Sequence, residues 1–352
     1  MLPDARVAIV LLSAIGDVVH AFPLAASLRA ALPRGRIEWI VQPVPSALVE
    51  PHPAVDRTWI LDRRRGWRAF RDFRRAVKGE RFDLVVDLQI YGKASLATAI
   101  LDAPRKLGFD RARARELNWL STNERIPARP GDHVLEQYLE FADHLRVPRR
   151  YEWAFPLSPA EREARRAFLD RRSAPVAAIV AATSREWKDW PAERWAKVAG
   201  TLHGEWGYEV CLVGGPHPRE SARAAAIERL AACPVSDERG ADLRRLLWLL
   251  DAAAIVLAPD TGPYHVAVGL GVPSVGVFGA TDPARHGPGR RFPELVVDGY
   301  HDPGEGWRPP RREWRKERMR AIEAGPVLEA VELARGRYRR AVEGPTSVEE
   351  TG

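Results

Sequence analysis

The fold of this chain is decided by the stretch Ala253-Ala254-Ile255-Val256-Leu257-Ala258-Pro259-Asp260-Thr261-Gly262-Pro263-Tyr264-His265. The apolar run 253–257 predicts a buried parallel strand, and the small-residue run 266–270 predicts a helix packed against it. In the turn between them, Asp260, Thr261 and Gly262 are expected at the N-terminus of the helix, where unpaired N–H groups and the helix dipole favour an anion. Gly262 also permits close approach of a ligand, because it has no Cβ. An ordinary capped helix start explains a lone Asp-Thr-Gly equally well.

The same alternation of strand and helix runs through both halves of the chain. Strands are predicted at 6–12, 37–42, 57–61, 82–88 and 106–109, and again at 176–182, 208–213, 253–257 and 274–278. Helices are predicted at 18–31, 94–101, 133–145, 161–171, 192–206, 219–230, 242–250 and 325–341. This rhythm is typical of doubly wound parallel sheets.

A stretch rich in proline and aromatic residues, 147–159, is the expected linker between two α/β domains. We therefore expect domains at 1–155 and 156–320, followed by a segment, 321–352, with a helix and a disordered Gly/Pro/Ser/Glu end. The region 304–320 is basic and contains tryptophan, and it is expected to be irregular. Two such halves facing each other leave a cleft, and open α/β sheets bind ligands beyond the carboxyl ends of their strands.

Composition favours an anionic partner. The 352 residues include 54 Lys and Arg against 47 Asp and Glu, a net charge of +7, and 45% are hydrophobic, which is enough for packed cores. Cys211 and Cys233 match no metal-ligand spacing and are interpreted as core thiols of a reducing compartment. We find no signal-peptide pattern and no run of roughly 20 apolar residues. These features predict a cytoplasmic protein and leave peripheral membrane association open.

The first strand leads into Ser13-Ala14-Ile15-Gly16-Asp17-Val18-Val19-His20. At this position a carboxylate such as Asp17 can face the cleft and take a proton from a substrate hydroxyl. Gly16 permits a close approach of the ligand. On spacing alone, however, capping of the following helix by Asp17 is the better interpretation.

A second polar loop, Thr183-Ser184-Arg185-Glu186-Trp187-Lys188-Asp189-Trp190-Pro191, follows the first strand of the second half. Hydroxyls and a lysine in a strand-to-helix loop suit a diphosphate, with the ammonium acting as a point charge. The loop lacks the glycines of a Walker motif. The alternative is a solvated loop with Trp190 as a packing anchor. Since this loop and Asp260-Thr261-Gly262 fall at the same edge of one sheet, the diphosphate site is the better interpretation.

Basic residues recur at helical spacing between positions 64 and 78. They are Arg64, Arg68, Arg71, Arg75 and Lys78, while Trp67, Phe70 and Val77 are expected to pack inward. The resulting stripe is either a solvated helix face or a patch for an acidic acceptor or lipid headgroups. No nucleic-acid motif is recognised. No metal site is expected either, because His20, His133 and His265 lack metal-ligand spacing. Gly214-Gly215 follows a strand but lacks the dinucleotide fingerprint, which weakens the hypothesis of a dehydrogenase.

As an ordered set, these stretches resemble the bacterial lipopolysaccharide heptosyltransferases of glycosyltransferase family nine. The resemblance is carried by 13–20, by Phe82 to Gln89, by Thr183-Ser184 with Lys188-Asp189-Trp190-Pro191, by Asp260-Thr261-Gly262 with His265, and by Gly279-Ala280-Thr281-Asp282-Pro283. His20 and the run from Arg105 to Arg115 are more similar to the first heptosyltransferase than to the second.

The resemblance implies a GT-B architecture of two Rossmann-like domains, with the acceptor on the N-terminal domain and the nucleotide-sugar on the C-terminal one. It implies metal-independent, inverting transfer of heptose from ADP-heptose to a Kdo sugar of the lipid A core, without a cofactor, at the cytoplasmic face of the inner membrane. The implied catalytic base is Asp17. The implied donor-binding residues are Thr183, Ser184, Lys188, Asp260, Thr261, Gly262 and His265; the implied acceptor-binding residues are Ser13, Gly16, His20, Arg64, Arg68 and Arg71.

Two other functions are compatible with the sequence. One is a transferase or epimerase that acts on another nucleotide-sugar. The other is a non-catalytic binder of nucleotides or nucleic acid that uses the basic half.

Overall fold

The computed structural model describes residues 3–129, 132–305, 309–310, 312–338 and 340. These residues form two compact units. One unit comprises 3–129 with Val134–Pro156, and the other comprises 132–133 with the described residues from 157 onward. The tail that is expected to be disordered, beyond 341, lies outside the described residues.

The first unit is built on a six-stranded sheet in which every neighbouring pair is parallel. Its strands are β1 (Arg6–Val10), β2 (Arg36–Val41), β3 (Arg57–Ile60), β4 (Leu84–Asp87), β5 (Arg105–Gly108) and β6 (Glu124–Arg125). Its helices are α1 (Ile15–Ala31), α2 (Pro43–Val49), α3 (Trp67–Ala76), α4 (Gly92–Ile100) and α5 (Val134–His144). The spatial order is β3-β2-β1-β4-β5-β6, which is the order of a Rossmann-like sheet.

The second unit repeats this plan. Its strands are β7 (Val176–Ile179), β8 (Glu209–Leu212), β9 (Val235–Asp237), β10 (Ile255–Pro259), β11 (Ser274–Phe278) and β12 (Val296–Asp298). Its helices are α6 (Pro159–Asp170), α7 (Ala192–Gly204), α8 (Pro218–Leu230), α9 (Leu243–Ala252), α10 (Gly262–Gly269), α11 (Pro283–His286) and α12 (Ala324–Arg337). The order β12-β11-β10-β7-β8-β9 is that of the first sheet counted from the other edge.

The strand order determines where a polar site forms in each unit. In the first sheet, β2 and β3 are added on one side of β1, and β4 to β6 on the other side, so the strand order reverses between β1 and β4. In the second sheet the same reversal lies between β7 and β10. Loops that leave the carboxyl ends of such a strand pair diverge and open a crevice, which is the usual ligand position in open α/β sheets. In the second unit, the loops that begin at 180 and 260 therefore meet, although about eighty positions separate them.

The predicted basic helix is interrupted, which corrects two details of the sequence analysis. Arg63–Arg65 form a single 3-10 turn, and Gly66, at φ 59°, ends it before α3 begins at Trp67. Ala69 and Phe73 on α3, and Val77 just after its end, are buried in the core of the unit. The expectation that Trp67 packs inward is wrong, because its side chain is 68% exposed. Lys78 lies beyond the end of α3.

Short elements escaped the sequence analysis for a physical reason. β6, β9 and β12 contain two or three residues each and are not fully buried, so no continuous apolar run marks them. The region 304–320 was expected to be irregular, and its described part contains only the beginning of the 3-10 turn Arg318–Ala321.

Replacement of Phe73 by alanine should lower the free energy of unfolding of the first unit by about 3–5 kcal/mol, because it leaves a cavity in the core. Trp67→Ala is the matched control on the same helix and should change the free energy of unfolding by less than about 0.5 kcal/mol. Urea titrations followed by far-UV circular dichroism would measure both changes. Equal effects of the two variants would show that the assignment of helix faces is wrong.

Candidate active site

In the second unit, Lys188 and Asp260 form an ion pair at the crevice between β7 and β10. The Nζ atom of Lys188 lies 2.6 Å from Oδ2 of Asp260 and donates a second hydrogen bond, of 3.3 Å, to the Asp260 carbonyl. Lys188 ends the 3-10 turn Glu186–Lys188 after β7, and Asp260 directly follows β10. The sequence predicted that the two loops share one edge of a sheet, and this is confirmed.

The carboxylate of Asp260 is buried and has partners on several loops. Besides Lys188, Thr281 donates from Oγ1 to Oδ2 at 2.7 Å, and Nε2 of His265 lies 3.1 Å from Oδ1. Burial by itself raises the pKa of Asp260, but the charge of Lys188 and the hydrogen bond of His265 outweigh it and hold this pKa well below its ordinary value. Asp260 is therefore an ionised anchor that orients Lys188, and Lys188 and Asp260 together carry no net charge.

The strand, turn and helix predicted from the opening stretch are present as β10, Asp260-Thr261 and α10. Thr261 occupies the N-cap position with extended backbone, and its side chain makes no capping hydrogen bond. The N–H groups of the first turn of α10 therefore receive no side-chain acceptor from the cap residue. An anion placed there would meet backbone N–H groups and the positive end of the helix dipole.

The loop after β7 is held in shape by Asp189, whose side chain is almost fully buried. Its carboxylate accepts hydrogen bonds from the backbone N–H of Thr183, at 2.7 Å, and from the guanidinium of Arg219, at 2.6 Å. The Thr183 hydroxyl donates inside the same loop, whereas Ser184 is exposed.

Trp190, in the same loop, is buried and donates to the Ile322 carbonyl at 2.9 Å, which confirms that it is a packing anchor. Sequence reasoning missed the structural roles of Asp189 and Arg219, because nothing local shows where Arg219 reaches.

In the first unit, Asp17 lies in the first turn of α1. Its Oδ2 accepts a hydrogen bond of 3.0 Å from the backbone N–H of Ala14, so the interpretation of Asp17 as a helix cap is confirmed. The Asp17 side chain is half-buried, while Gly16 and His20 are buried. Ser13 is half-buried, and its hydroxyl oxygen accepts from Nε2 of Gln42 at 3.2 Å. The role of Asp17 as a base stays a prediction.

Gln89 was not predicted as a site residue, yet its side chain binds both sides of the loop after β1. Its Oε1 accepts from the backbone N–H of Leu12, and its Nε2 donates to the carbonyl of Ser13, each at 3.3 Å. The backbone N–H of Gln89 donates to Asp87 at 3.0 Å. Burial raises the pKa of Asp87 to about 6, although hydrogen bonds from Thr98, Gln89 and Asn118 act in the opposite direction. The one sequence feature that could have identified Gln89 was its position, as a polar residue directly after an apolar strand.

The predicted acceptor arginines lie after the carboxyl end of β3. Arg64 binds Asp62 through Nε at 3.0 Å, and the guanidinium of Arg71 lies 4.9 Å from the centre of the Trp67 ring. Arg68 is exposed. Within the described part of the chain, no three His, Cys, Asp or Glu side chains are grouped as metal ligands would be.

Comparison with known proteins identifies the class that this fold and this site define. The model of glycosyltransferase family 9 (heptosyltransferase) matches residues 70–296, which is more than half of the chain. The chain belongs to this glycosyltransferase family. It is similar to the lipopolysaccharide core heptosyltransferase OpsX of Haemophilus influenzae, with 29% identity over 81% of this chain and 82% of the relative. It is also similar to lipopolysaccharide heptosyltransferase 1 of Salmonella typhimurium, with 31% identity over 79% and 89%.

Solved structures support the same assignment. The structure of E. coli heptosyltransferase WaaC with ADP is 26% identical, covers 93% of this chain and 99% of its own, and superposes with a TM-score of 0.72. The structure of the same enzyme with ADP-2-deoxy-2-fluoro heptose is 25% identical, covers the same shares and has a TM-score of 0.70. The predicted fold class, a GT-B pair of Rossmann-like sheets, is confirmed.

Replacement of Asp260 by asparagine should lower the free energy of unfolding of the second unit by about 3 kcal/mol, because it leaves Lys188 without its buried counter-charge. Thr281→Val removes one hydrogen bond to the same carboxylate and should cost about 1 kcal/mol. Chemical unfolding followed by tryptophan fluorescence would measure both values. If Asp260→Asn were as stable as the wild type, Asp260 would not be the anchor described here.

Proposed function

We propose that this chain transfers a heptose from ADP-heptose to the inner core of lipopolysaccharide. The observation that carries the proposal is the Lys188–Asp260 pair beside the N-terminus of α10, in a chain of glycosyltransferase family 9. The printed names of the relatives, and the ADP and ADP-2-deoxy-2-fluoro heptose in the WaaC structures, support this donor and this acceptor.

The second unit holds the donor in this proposal. Negative charge develops on the leaving diphosphate as the glycosidic bond breaks, and fixed cations and backbone dipoles aimed at that charge lower the barrier. Lys188, the exposed hydroxyl of Ser184 and the N–H groups at Thr261 and Gly262 supply those groups. Thr183, Asp260 and His265 keep them in position, because their own polar atoms are engaged within the protein.

The first unit supplies the base and binds the acceptor. Asp17 removes the proton from a Kdo hydroxyl, whose oxygen then attacks the anomeric carbon from the face opposite the diphosphate. A carbon–oxygen bond forms, the bond to the diphosphate breaks, ADP leaves, and the configuration inverts. Ser13, Gly16 and His20 line the start of α1 beside Asp17. The divalent cation that some transferases use is replaced here by the lysine and the helix dipole.

A lipid-linked acceptor also explains the basic surface after β3. Arg64, Arg68 and Arg71 are exposed beside Trp67, a combination of cations and an interfacial aromatic ring that suits anionic headgroups. No helix in the described ranges has both the length and the apolarity needed to cross a bilayer. On the basis of the exposed arginines and Trp67, we propose peripheral attachment at the cytoplasmic face of the inner membrane.

The proposed reaction is tested by incubation of the purified chain with Kdo-lipid A and a panel of nucleotide-sugars, with mass spectrometry of the products. We expect one heptose to be added from ADP-heptose only, and we expect EDTA to leave the rate unchanged. Transfer of another sugar would assign a different donor. Epimerisation without transfer, or binding without turnover, would refute the proposed reaction.

Asp17→Asn and Lys188→Ala should separate catalysis from donor binding. Loss of the base should reduce kcat by roughly 10²–10⁴-fold and leave the Kd for ADP unchanged. Loss of the ammonium should raise the Kd for ADP by roughly tenfold or more, because a charge-assisted contact is removed. Steady-state kinetics and calorimetric titration with ADP would measure both. Wild-type kcat in Asp17→Asn would remove Asp17 from the mechanism, and an unchanged Kd in Lys188→Ala would remove Lys188.

A further inference from the structure

The segment 312–319, here called the strap, runs beside the carboxyl end of β11. The backbone N–H of Arg315 donates to the carbonyl of Ala280 at 3.0 Å, and the N–H of Gly279 points to the sulfur of Met319 at 3.1 Å. A Cβ on Gly279 would lie only 2.7 Å from the backbone nitrogen of Met319, so the two segments are in close contact. The strap therefore lies at the same edge of the sheet as Asp260 and Thr281.

An aromatic pair joins the strap to the loop that carries Lys188. The rings of Trp314 and Trp187 lie 5.0 Å apart between centroids and are tilted by 33°, an aromatic contact that is here called the stack. Trp187 immediately precedes Lys188 within the 3-10 turn after β7. Trp314 is 60% exposed, so its contact with Trp187, rather than burial in a core, fixes its position.

A second cation lies beside the same Trp187 ring as Lys188. The Nζ atom of Lys316 lies 5.9 Å from the centre of the Trp187 ring, and Nζ of Lys188 lies at the same distance from that ring. The neighbouring cations of the strap, Arg315 and Arg318, are both paired with Asp302. Across the described ranges, Lys316 has no carboxylate within ion-pairing distance, although Glu313 and Glu317 are on the same strap.

Charge balance indicates what Lys316 is for. The charge of Lys188 is cancelled by Asp260, at 2.6 Å, and the N-terminus of α10 supplies only about half of an elementary charge. A sugar nucleotide carries a negative charge on each of its two phosphates, so Lys188 and the helix together leave the diphosphate short of positive charge. Arg185 on the same loop and Lys316 beside Trp187 are described cations that have no carboxylate within ion-pairing distance, and Lys316 is the one that an aromatic contact holds against the ring next to Lys188.

We propose that Lys316, held by the stack of Trp314 on Trp187, is a second cation for the diphosphate of the donor. The inference rests on the proposed function, since it assigns a further residue to the donor site. It concerns binding of the diphosphate and involves no residue of the first unit.

The test is calorimetric titration of ADP and adenosine into Lys316→Gln, Lys316→Arg and the wild type. We expect Lys316→Gln to weaken ADP binding about tenfold, and to leave adenosine binding unchanged because adenosine has no phosphate. Lys316→Arg keeps the charge and should bind ADP within about twofold of the wild type. Lys197→Gln, an exposed lysine on α7, is the matched control and should bind ADP like the wild type.

The stack is tested by Trp314→Leu, alone and combined with Lys316→Gln. If the stack positions Lys316, each single variant raises the Kd for ADP. The double variant then has a Kd no higher than that of the single variant that binds ADP less tightly. Multiplied effects in the double variant would overturn the positioning role. Unchanged ADP binding in Lys316→Gln would overturn the inference alone, provided that the wild type binds ADP. A wild type without affinity for ADP would overturn both the inference and the proposed donor.

Discussion

The second unit depends on one buried carboxylate, that of Asp260. A charged group without partners in a protein interior is strongly destabilising, and here Lys188, His265 and Thr281 provide the partners. These residues come from the loop after β7, from α10 and from the loop after β11, so the requirement to satisfy one carboxylate fixes the relative positions of the segments after β7, β10 and β11. The ammonium that we assign to the donor is oriented by the same contacts. A ligand site of this kind is preorganised, because its geometry is set before any ligand arrives.

The first unit fixes its corresponding loop in a different way. Gln89 lies at the end of β4, next to β1, and its neutral amide binds the backbone of Leu12 and Ser13. Asp17 follows shortly afterwards in the first turn of α1, and the hydroxyl of Ser13 before it also accepts a hydrogen bond from Gln42. The same strand order thus positions different groups in the two units. The second unit orients the ammonium of Lys188, and the first orients the carboxylate of Asp17, which accepts a hydrogen bond from Ala14.

The net charge of +7 is not spread evenly, and much of the arginine content is internally paired. For example, the single carboxylate of Asp72 lies within ion-pairing distance of three arginines, Arg65, Arg71 and Arg75. The positive charge that remains for a partner therefore comes from particular side chains and cannot be read from composition. Lys316 in the second unit and Arg68 in the first illustrate this, because neither has an ion-pair partner among the residues that the structure describes.

The sequence by itself determined the α/β class, most strands and helices, and the edge at which Lys188 and Asp260 meet. It could do so because buried parallel strands require continuous apolar runs, and because carboxyl ends of parallel strands share one edge. It did not determine where α3 begins, since Gly66, at φ 59°, interrupts the helix that the spacing of the basic residues predicted. Nor did it reveal Gln89, Asp189, Arg219 or the Trp187–Trp314 stack. Only the tertiary structure decided these contacts, because each joins residues that are distant in sequence, and local patterns carry no information about such distances.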